Sequence, residues 1–224
     1  MRWLYKLEYK FGRYYIRRLM TVIVVGMAVL FFVEMFANSA GMSVTRWLTL
    51  DRAAVLRGQV WRLVTFVFVP PQGQTIFLLI SLYFYYMMGN LLEGAWGGFR
   101  FNVYYLFGML GAIAAMFITG VGTNSYLNLS LFLAYATIAP DTTFMLFFII
   151  PLKAKWLALF YAAMMALQLI FQFIASPMGG LYLLVSLAFS LLNYAIFFGK
   201  SMVQAVRDQI RIAQNRRNWK NRNR

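Results

Sequence analysis

The strongest constraint on this chain is a series of long apolar runs that contain almost no charged residues. A helix that crosses a bilayer needs about 20 predominantly apolar residues. With 62% apolar and 12% charged residues, the composition excludes an ordinary soluble domain. We predict an all-α polytopic membrane protein, a six-helix bundle in which the fourth and shortest span lies centrally. The predicted spans are Leu19–Ala37, Ile76–Leu92, Phe101–Val121, Tyr126–Ala139, Trp156–Ala175 and Leu181–Phe198.

The distribution of basic residues predicts the orientation. All but four of the 21 Lys and Arg residues fall near the two termini or in the second and fourth connections between spans. The four exceptions, Arg46, Arg52, Arg57 and Arg62, lie in the first loop. Because cytoplasmic segments of membrane proteins are enriched in Lys and Arg, both termini are predicted to be cytoplasmic. This pattern, with no recognisable targeting segment, favours a bacterial inner membrane.

The sequence divides into three parts. Residues 1–18 carry apolar and basic side chains on different helical faces, which is typical of a basic amphipathic helix in the membrane interface. Residues 19–199 form the predicted six-helix membrane domain. Residues 200–224 form a basic cytoplasmic tail with a disordered end, which either contacts anionic lipid or the ribosome or only anchors the topology. Because most of the charge of +15 flanks the spans, no DNA partner is predicted, and membrane lipids are the expected surroundings.

The long first loop, residues 38–74, is unusually rich in Trp, Val and Phe. This composition predicts a segment partly submerged at the level of the lipid headgroups. Asp51 is positioned to cap a short helix that runs to Leu56, with Gly58 as its stop. Glu34, near the end of the first span, either pairs with an Arg of this loop or reaches the interface alone. A second apolar stretch, Phe144–Leu152, is too short to span and is predicted to be interfacial or partly buried.

The chain contains neither His nor Cys, which excludes most catalytic and metal sites. Without these residues there is no His-based dyad, no thiol nucleophile and no common zinc site. Glu34 is the one acidic residue well inside a predicted span, so a pair of carboxylates is excluded as well. No metal or cofactor is predicted.

Several motifs occur in an order that resembles the rhomboid superfamily. The first loop contains Gly58-Gln59-Val60-Trp61-Arg62-Leu63-Val64-Thr65, and the second span ends in Gly89-Asn-Leu-Leu-Glu93 before Arg100. The third span opens with Tyr104-Tyr105-Leu106-Phe107-Gly108. We take these motifs and the six-span pattern as a resemblance to rhomboid-like proteins, which implies that the first-loop segment around Trp61 and Arg62 has a structural role.

Active rhomboids are intramembrane serine proteases with a Ser in a Gly-x-Ser-Gly motif that opens span four and a His in span six. A gapless placement puts that motif at residues 123–126, which makes Ser125 a vestigial nucleophile. The same placement puts Phe77 and Ser81 where the family has a His and an Asn in span two. Because a Ser needs an adjacent base and the chain has no His, the resemblance implies a pseudoprotease without catalytic residues, analogous to derlins.

Polar residues inside membrane spans are costly and are candidates for function. The candidates for binding a client segment are Ser81, Asn124, Ser125, Asn128 and Ser130. The alternative for each is an interhelical hydrogen bond without further function. Three hypotheses follow: a non-catalytic protein that binds transmembrane or membrane-proximal clients and thins the bilayer locally, a cryptic protease that uses Ser125 with an atypical base, and a scaffold that recruits partners through its tail.

Overall fold

The computed structural model describes residues 2–71, 75–146 and 150–222. In these ranges, five helices are long and apolar enough to cross a membrane, which confirms the prediction of an all-α polytopic protein. They are α2 (Leu19–Ser39), α6 (Thr75–Trp96), α7 (Gly98–Thr119), α9 (Ala154–Ala175) and α10 (Pro177–Arg222), whose apolar part is Pro177–Gly199.

The predicted short fourth span corresponds to α8 (Ser125–Ile138), a helix of 14 residues. At 1.5 Å per residue it is about 21 Å long, well short of the hydrocarbon thickness of about 30 Å. It packs against α6, α7, α9 and α10, and most of its second and third turns are buried. The short helix is therefore the centre of the bundle, while the six-span topology and the orientation of the termini stay predictions.

The first loop folds into short elements that pack into the bundle. They are α3 (Thr45–Leu48), β1 (Leu50–Asp51), α4 (Arg52–Leu56), α5 (Arg62–Thr65) and a 3₁₀ helix (Phe66–Phe68). Strand β1 pairs antiparallel with β2 (Val121–Gly122), which follows α7. Leu50, Phe66 and Val67 are buried in the main core, so this loop is a packed part of the structure.

Two acidic residues determine how the first loop turns. The carboxylate of Asp51 accepts the Ala54 N–H at 2.8 Å and so caps α4, as predicted from the sequence. Glu34 makes contacts that neither of the two alternatives given above predicted. Its carboxylate accepts the Ser43 hydroxyl at 2.6 Å and the backbone N–H groups of Val44 and Thr45 at 2.8 and 2.7 Å. It therefore holds the start of α3 against the end of α2.

Both ends of the chain differ from the prediction. The N-terminal helix α1 (Arg2–Phe11) is shorter than the predicted segment 1–18, and the chain then turns toward α7. Glu8 of α1 forms an ion pair with Arg100 at 2.7 Å, and the backbone of Ile16 exchanges two hydrogen bonds with the Asn102 side chain.

At the other end, α10 continues to Arg222, where disorder was predicted. The segment after Gly199 contains no Pro or Gly, so nothing in its sequence stops the helix.

The segment between α8 and α9 contains a β-hairpin that the sequence did not predict. Strand β3 (Thr143–Leu146) pairs antiparallel with β4 (Ile150–Lys153), and the connecting residues 147–149 lie outside the described ranges. A short continuous apolar run does not distinguish a strand from another buried segment.

Near the hairpin, Asp141 pairs with Lys155 at 2.9 Å and Lys153 at 3.5 Å, and the hydrogen bond from Lys155 holds the pKa of Asp141 below its usual value. This ion pair is therefore lost as the pH falls through that lowered pKa.

Helices α2 and α6 approach closely at Gly89. A Cβ atom added to Gly89 would lie 2.2 Å from the Cβ of Met20 on α2, a separation that atoms do not reach. The buried core around Met20 includes Ile23, Leu92 and Phe101, so a displacement of either helix disturbs the centre of the bundle. Gly89 therefore permits the contact between α2 and α6.

We predict that Gly89→Ala lowers the free energy of unfolding by about 1–3 kcal/mol, because overpacking forces the two helices apart. Gly94→Ala is the matched control, since both glycines lie in α6 and nothing lies within 4 Å of a Cβ added at Gly94. The control is expected to be neutral or stabilising by up to about 1 kcal/mol. Thermal unfolding of the purified protein in detergent measures both effects. Equal stability of the two variants would contradict the close contact.

Candidate functional site

Two polar residues proposed as client-binding candidates hold the structure together. The Asn124 side-chain amide donates to the carbonyl oxygens of Val69 at 2.7 Å and Val67 at 3.3 Å, and so joins the start of α8 to the first loop. Ser130 is fully buried. Its hydroxyl is hydrogen-bonded to the Tyr104 hydroxyl and accepts the Asn193 amide at 3.0 Å, which links α8 to α7 and α10.

The other three candidates do not share a site with these two. Ser81 donates to the Phe77 carbonyl of its own helix at 2.8 Å. Ser125 is exposed, and its hydroxyl lies 3.0 Å from the hydroxyl of Thr123. Asn128 is 5% exposed, and its side-chain oxygen has no hydrogen-bond partner among the described residues. The five predicted residues therefore lie in different environments, and only Asn128 is a buried group with an unused acceptor.

A groove with polar side chains lies at the first-loop end of the bundle, where α7, α8, α9 and α10 meet. Its volume is about 380 Å³. The strand β2 and the turn before α8 form one side, and α9 and the first turns of α10 form the other. Its polar lining consists of Thr119, Thr123, Tyr126, Gln168, Gln172, Tyr182 and Ser186. We call this the α9–α10 groove.

Gln168 and Gln172 are the residues of this groove that the sequence reasoning missed. They are four residues apart on α9 and therefore lie on the same helical face. Both are exposed within a span of mean hydropathy 2.0, and polar side chains inside spans are candidates for function. Gly179 makes room for one of them, because a Cβ there would lie 2.5 Å from the Gln172 amide nitrogen. Two uncharged polar residues at helical spacing were the signal in the sequence.

The lining determines what the groove can do chemically. It offers amide and hydroxyl groups that both donate and accept hydrogen bonds, and it includes no carboxylate, Lys or Arg side chain. Next to it, Gly108, Ser130 and Asn193 border a small cavity of about 10 Å³, about the room for one water molecule. The groove is therefore suited to bind polar groups and has no strong base to move a proton.

The residues of the first-loop motif form hydrogen bonds within the loop. Arg62 is 6% exposed and donates to the carbonyls of Arg46 and Thr49 at 2.9 and 2.7 Å and to Gln59 Oε1 at 2.7 Å. Trp61 donates from its indole to the Trp47 carbonyl at 3.2 Å. These bonds close the turn between α3 and α5.

The remaining residues of the motif fit the same turn. Gly58 has a φ of +96°, a backbone conformation that favours glycine. The Thr65 hydroxyl donates to the Trp61 carbonyl at 3.1 Å.

The second motif, at the end of α6, fixes the start of the first span. Glu93 accepts the backbone N–H of Arg18 at 2.9 Å, and Arg18 has a φ of +52°, which ends the N-terminal segment in a sharp turn. Arg100 pairs with Glu8 through Nε and Nη2 at 2.9 and 2.7 Å. With the close contact at Gly89, this motif joins the N-terminal segment to α6 and α7.

The fold and the apolar helices define the class: an all-α integral membrane protein with several spans. The family described as eukaryotic integral membrane protein (DUF1751) matches residues 17–209, so the chain belongs to this family. The match covers the whole membrane domain. The family is described as eukaryotic, which argues against the prediction of a bacterial inner membrane. The comparison with curated proteins gives no match.

We predict that Arg62→Ala lowers the free energy of unfolding by about 3 kcal/mol, because it removes the three hydrogen bonds of a buried cation, including its bond to the Thr49 carbonyl. Arg57→Ala is the control, since Arg57 is exposed and its guanidinium makes one hydrogen bond in the described part of the chain, to the Ala53 carbonyl of its own turn. Thermal unfolding and limited proteolysis of residues 42–62 measure the effect. Unchanged proteolysis in Arg62→Ala would show that the turn is held by other contacts.

Proposed function

We propose that this chain is a non-catalytic, rhomboid-like membrane protein that binds transmembrane or membrane-proximal segments of client proteins. The observation that carries the proposal is the α9–α10 groove, whose lining includes the exposed residues Gln168 and Gln172 of a helix that is apolar enough to span a membrane. The proposal moves the predicted client site from Ser81, Asn124, Ser125, Asn128 and Ser130 to this groove. The termini are proposed to be cytoplasmic and the membrane to be eukaryotic.

The groove matches the chemistry of a client that is poorly suited to lipid. An unpaired polar side chain or an unwound turn in a transmembrane segment has no hydrogen-bond partner in the hydrocarbon. An amide of Gln168 or Gln172 supplies one, and such interhelical bonds stabilise by about 0.6 kcal/mol on average. Several weak bonds of this kind favour a segment with polar groups over a fully apolar helix.

Local thinning of the bilayer belongs to the same proposal. Helix α8 is about 21 Å long against a hydrocarbon thickness of about 30 Å. The first loop packs onto the bundle through Leu50, Phe66 and Val67 while its Trp47, Val60 and Trp61 side chains stay exposed. Lipid next to the short elements of the first loop adapts by thinning, which reduces the barrier for a polar client segment.

The environment of Ser125 supports the absence of catalysis. Its hydroxyl is 3.0 Å from the hydroxyl of Thr123, which is not a base, and the chain has no His. The α9–α10 groove has no strongly basic or acidic side chain in its lining. The alternative of a protease with an atypical base therefore has no supporting contact among the described residues. Recruitment through the C-terminal tail stays a prediction.

The client proposal is tested with a photoreactive amino acid placed at Gln172 in the full chain in native membranes. Position 170 is the control, because two residues rotate the side chain by about 200° around the helix and Ile170 is exposed outside the groove. We expect polypeptide adducts from position 172 and mainly lipid adducts from position 170.

A second variant separates hydrogen bonding from shape. Gln168→Leu/Gln172→Leu keeps the approximate size of both side chains and removes their amides, and neither side chain makes a hydrogen bond within the described chain that holds the fold. We expect polypeptide adducts from position 126, at the opposite wall, to fall severalfold in this double variant. Equal adducts from positions 170 and 172, or unchanged capture in the double variant, would overturn the proposed site.

The non-catalytic part is tested separately by incubating the purified protein with a model transmembrane substrate. We expect no cleavage above the rate of Ser125→Ala, because no base activates the hydroxyl. Cleavage by the wild-type chain that is abolished in Ser125→Ala would establish the protease alternative.

A further inference from the structure

A second feature of the first loop lies apart from the α9–α10 groove: a buried cation without a carboxylate partner. Arg62 is 6% exposed, yet in the described part of the chain no carboxylate oxygen lies within 4.0 Å of its guanidinium. Its three hydrogen bonds use Nε and Nη1 and go to neutral oxygens. Buried charges in proteins are normally paired, so the charge of Arg62 points to an anion from outside the chain.

The space next to Arg62 has room for such an anion. A cavity of about 460 Å³ is lined by Arg46, Arg57 and Arg62, together with the side chains of Trp47, Asp51 and Gln59. Asp51 is the one acidic residue in the lining, and one of its carboxylate oxygens accepts the Ala54 N–H as the cap of α4. The lining therefore includes three arginines and one acidic residue, which gives it a net positive charge.

The surroundings of the cavity indicate where the anion comes from. Trp47 is 59% exposed and Trp61 is 47% exposed, and Val60 and Leu56 are exposed beside them. Tryptophan is enriched at the level of the lipid headgroups, where its ring meets both hydrocarbon and water. A cationic cavity at this level lies beside lipid phosphates.

We propose that this cavity, formed by Arg46, Arg57 and Arg62, binds the phosphate group of a phospholipid from the leaflet on the first-loop side. Arginine is the preferred partner of phosphate because its planar fork donates two parallel hydrogen bonds. The acyl chains extend past Trp47 and Trp61 into the bilayer. Such a lipid neutralises Arg62 and fixes the depth of the first loop, which accounts for three of the four Arg residues of this loop.

The test is native mass spectrometry of the full chain, delipidated in detergent, with dioleoyl-phosphatidylglycerol as the probe. Dioleoylglycerol, which lacks the phosphate, and inorganic phosphate, which lacks the acyl chains, are the two comparison ligands. We expect one phosphatidylglycerol to bind at concentrations at which neither comparison ligand forms an adduct. Arg46→Gln/Arg57→Gln is expected to weaken that first binding step by about tenfold or more, because each arginine lost removes charge-assisted bonds.

Lys153→Gln/Lys155→Gln is the matched control, since it also removes two exposed cations, and both are already paired with Asp141. It is expected to change the first binding step less than twofold. If the two double variants lose the same affinity for the first phosphatidylglycerol, the effect comes from net charge alone and the proposed site is overturned. If inorganic phosphate binds as tightly as the lipid, the cavity does not select a phospholipid and the proposal is overturned. As a control for folding, both double variants must unfold at the wild-type melting temperature.

Discussion

The hydrogen bonds of Ser130 hold the short helix α8 at the centre of the bundle, and the other elements are arranged around it. Tyr104 of α7 donates to the Ser130 carbonyl at 2.8 Å, and Asn193 of α10 donates to the Ser130 hydroxyl at 3.0 Å. In an apolar interior these groups have no alternative partners, so three helices are fixed at one depth. Because α8 is held there, Tyr126 in its first turn lines the α9–α10 groove.

The polar residues of the spans form two groups: buried ones that bond to neighbouring elements and exposed ones that line the groove. Asn124, Ser130 and Asn193 are buried and bonded to neighbouring elements, so they are part of the packing. Gln168 and Gln172 are exposed on α9 and face a cavity, so their bonding capacity is available to another molecule. The sequence did not distinguish the two groups, because whether a polar residue is satisfied depends on which helix lies opposite it.

The spans and the first-loop turn could be predicted because their signals are local. Apolar length defined α2, α6, α7, α9 and the first half of α10, and the spacing of Asp51 and Gly58 predicted α4 and its stop. The hairpin at 143–153 was missed because a continuous apolar run carries no strand period. Glu34 was misjudged for another reason: its partners are backbone N–H groups of the next turn, which no pairing of charged side chains reveals.

The uncharged lining of the α9–α10 groove is the physical reason to connect it with reversible binding. A buried ionic pair requires both charges to be desolvated, and breaking it leaves a charge without a partner. Neutral interhelical hydrogen bonds contribute about 0.6 kcal/mol each on average, so the client that we propose is released readily when only a few of them hold it. A proteolytic site needs the opposite, a strong base fixed beside its nucleophile. The role that we propose, holding a segment and releasing it unchanged, therefore rests on the uncharged lining that includes Gln168 and Gln172.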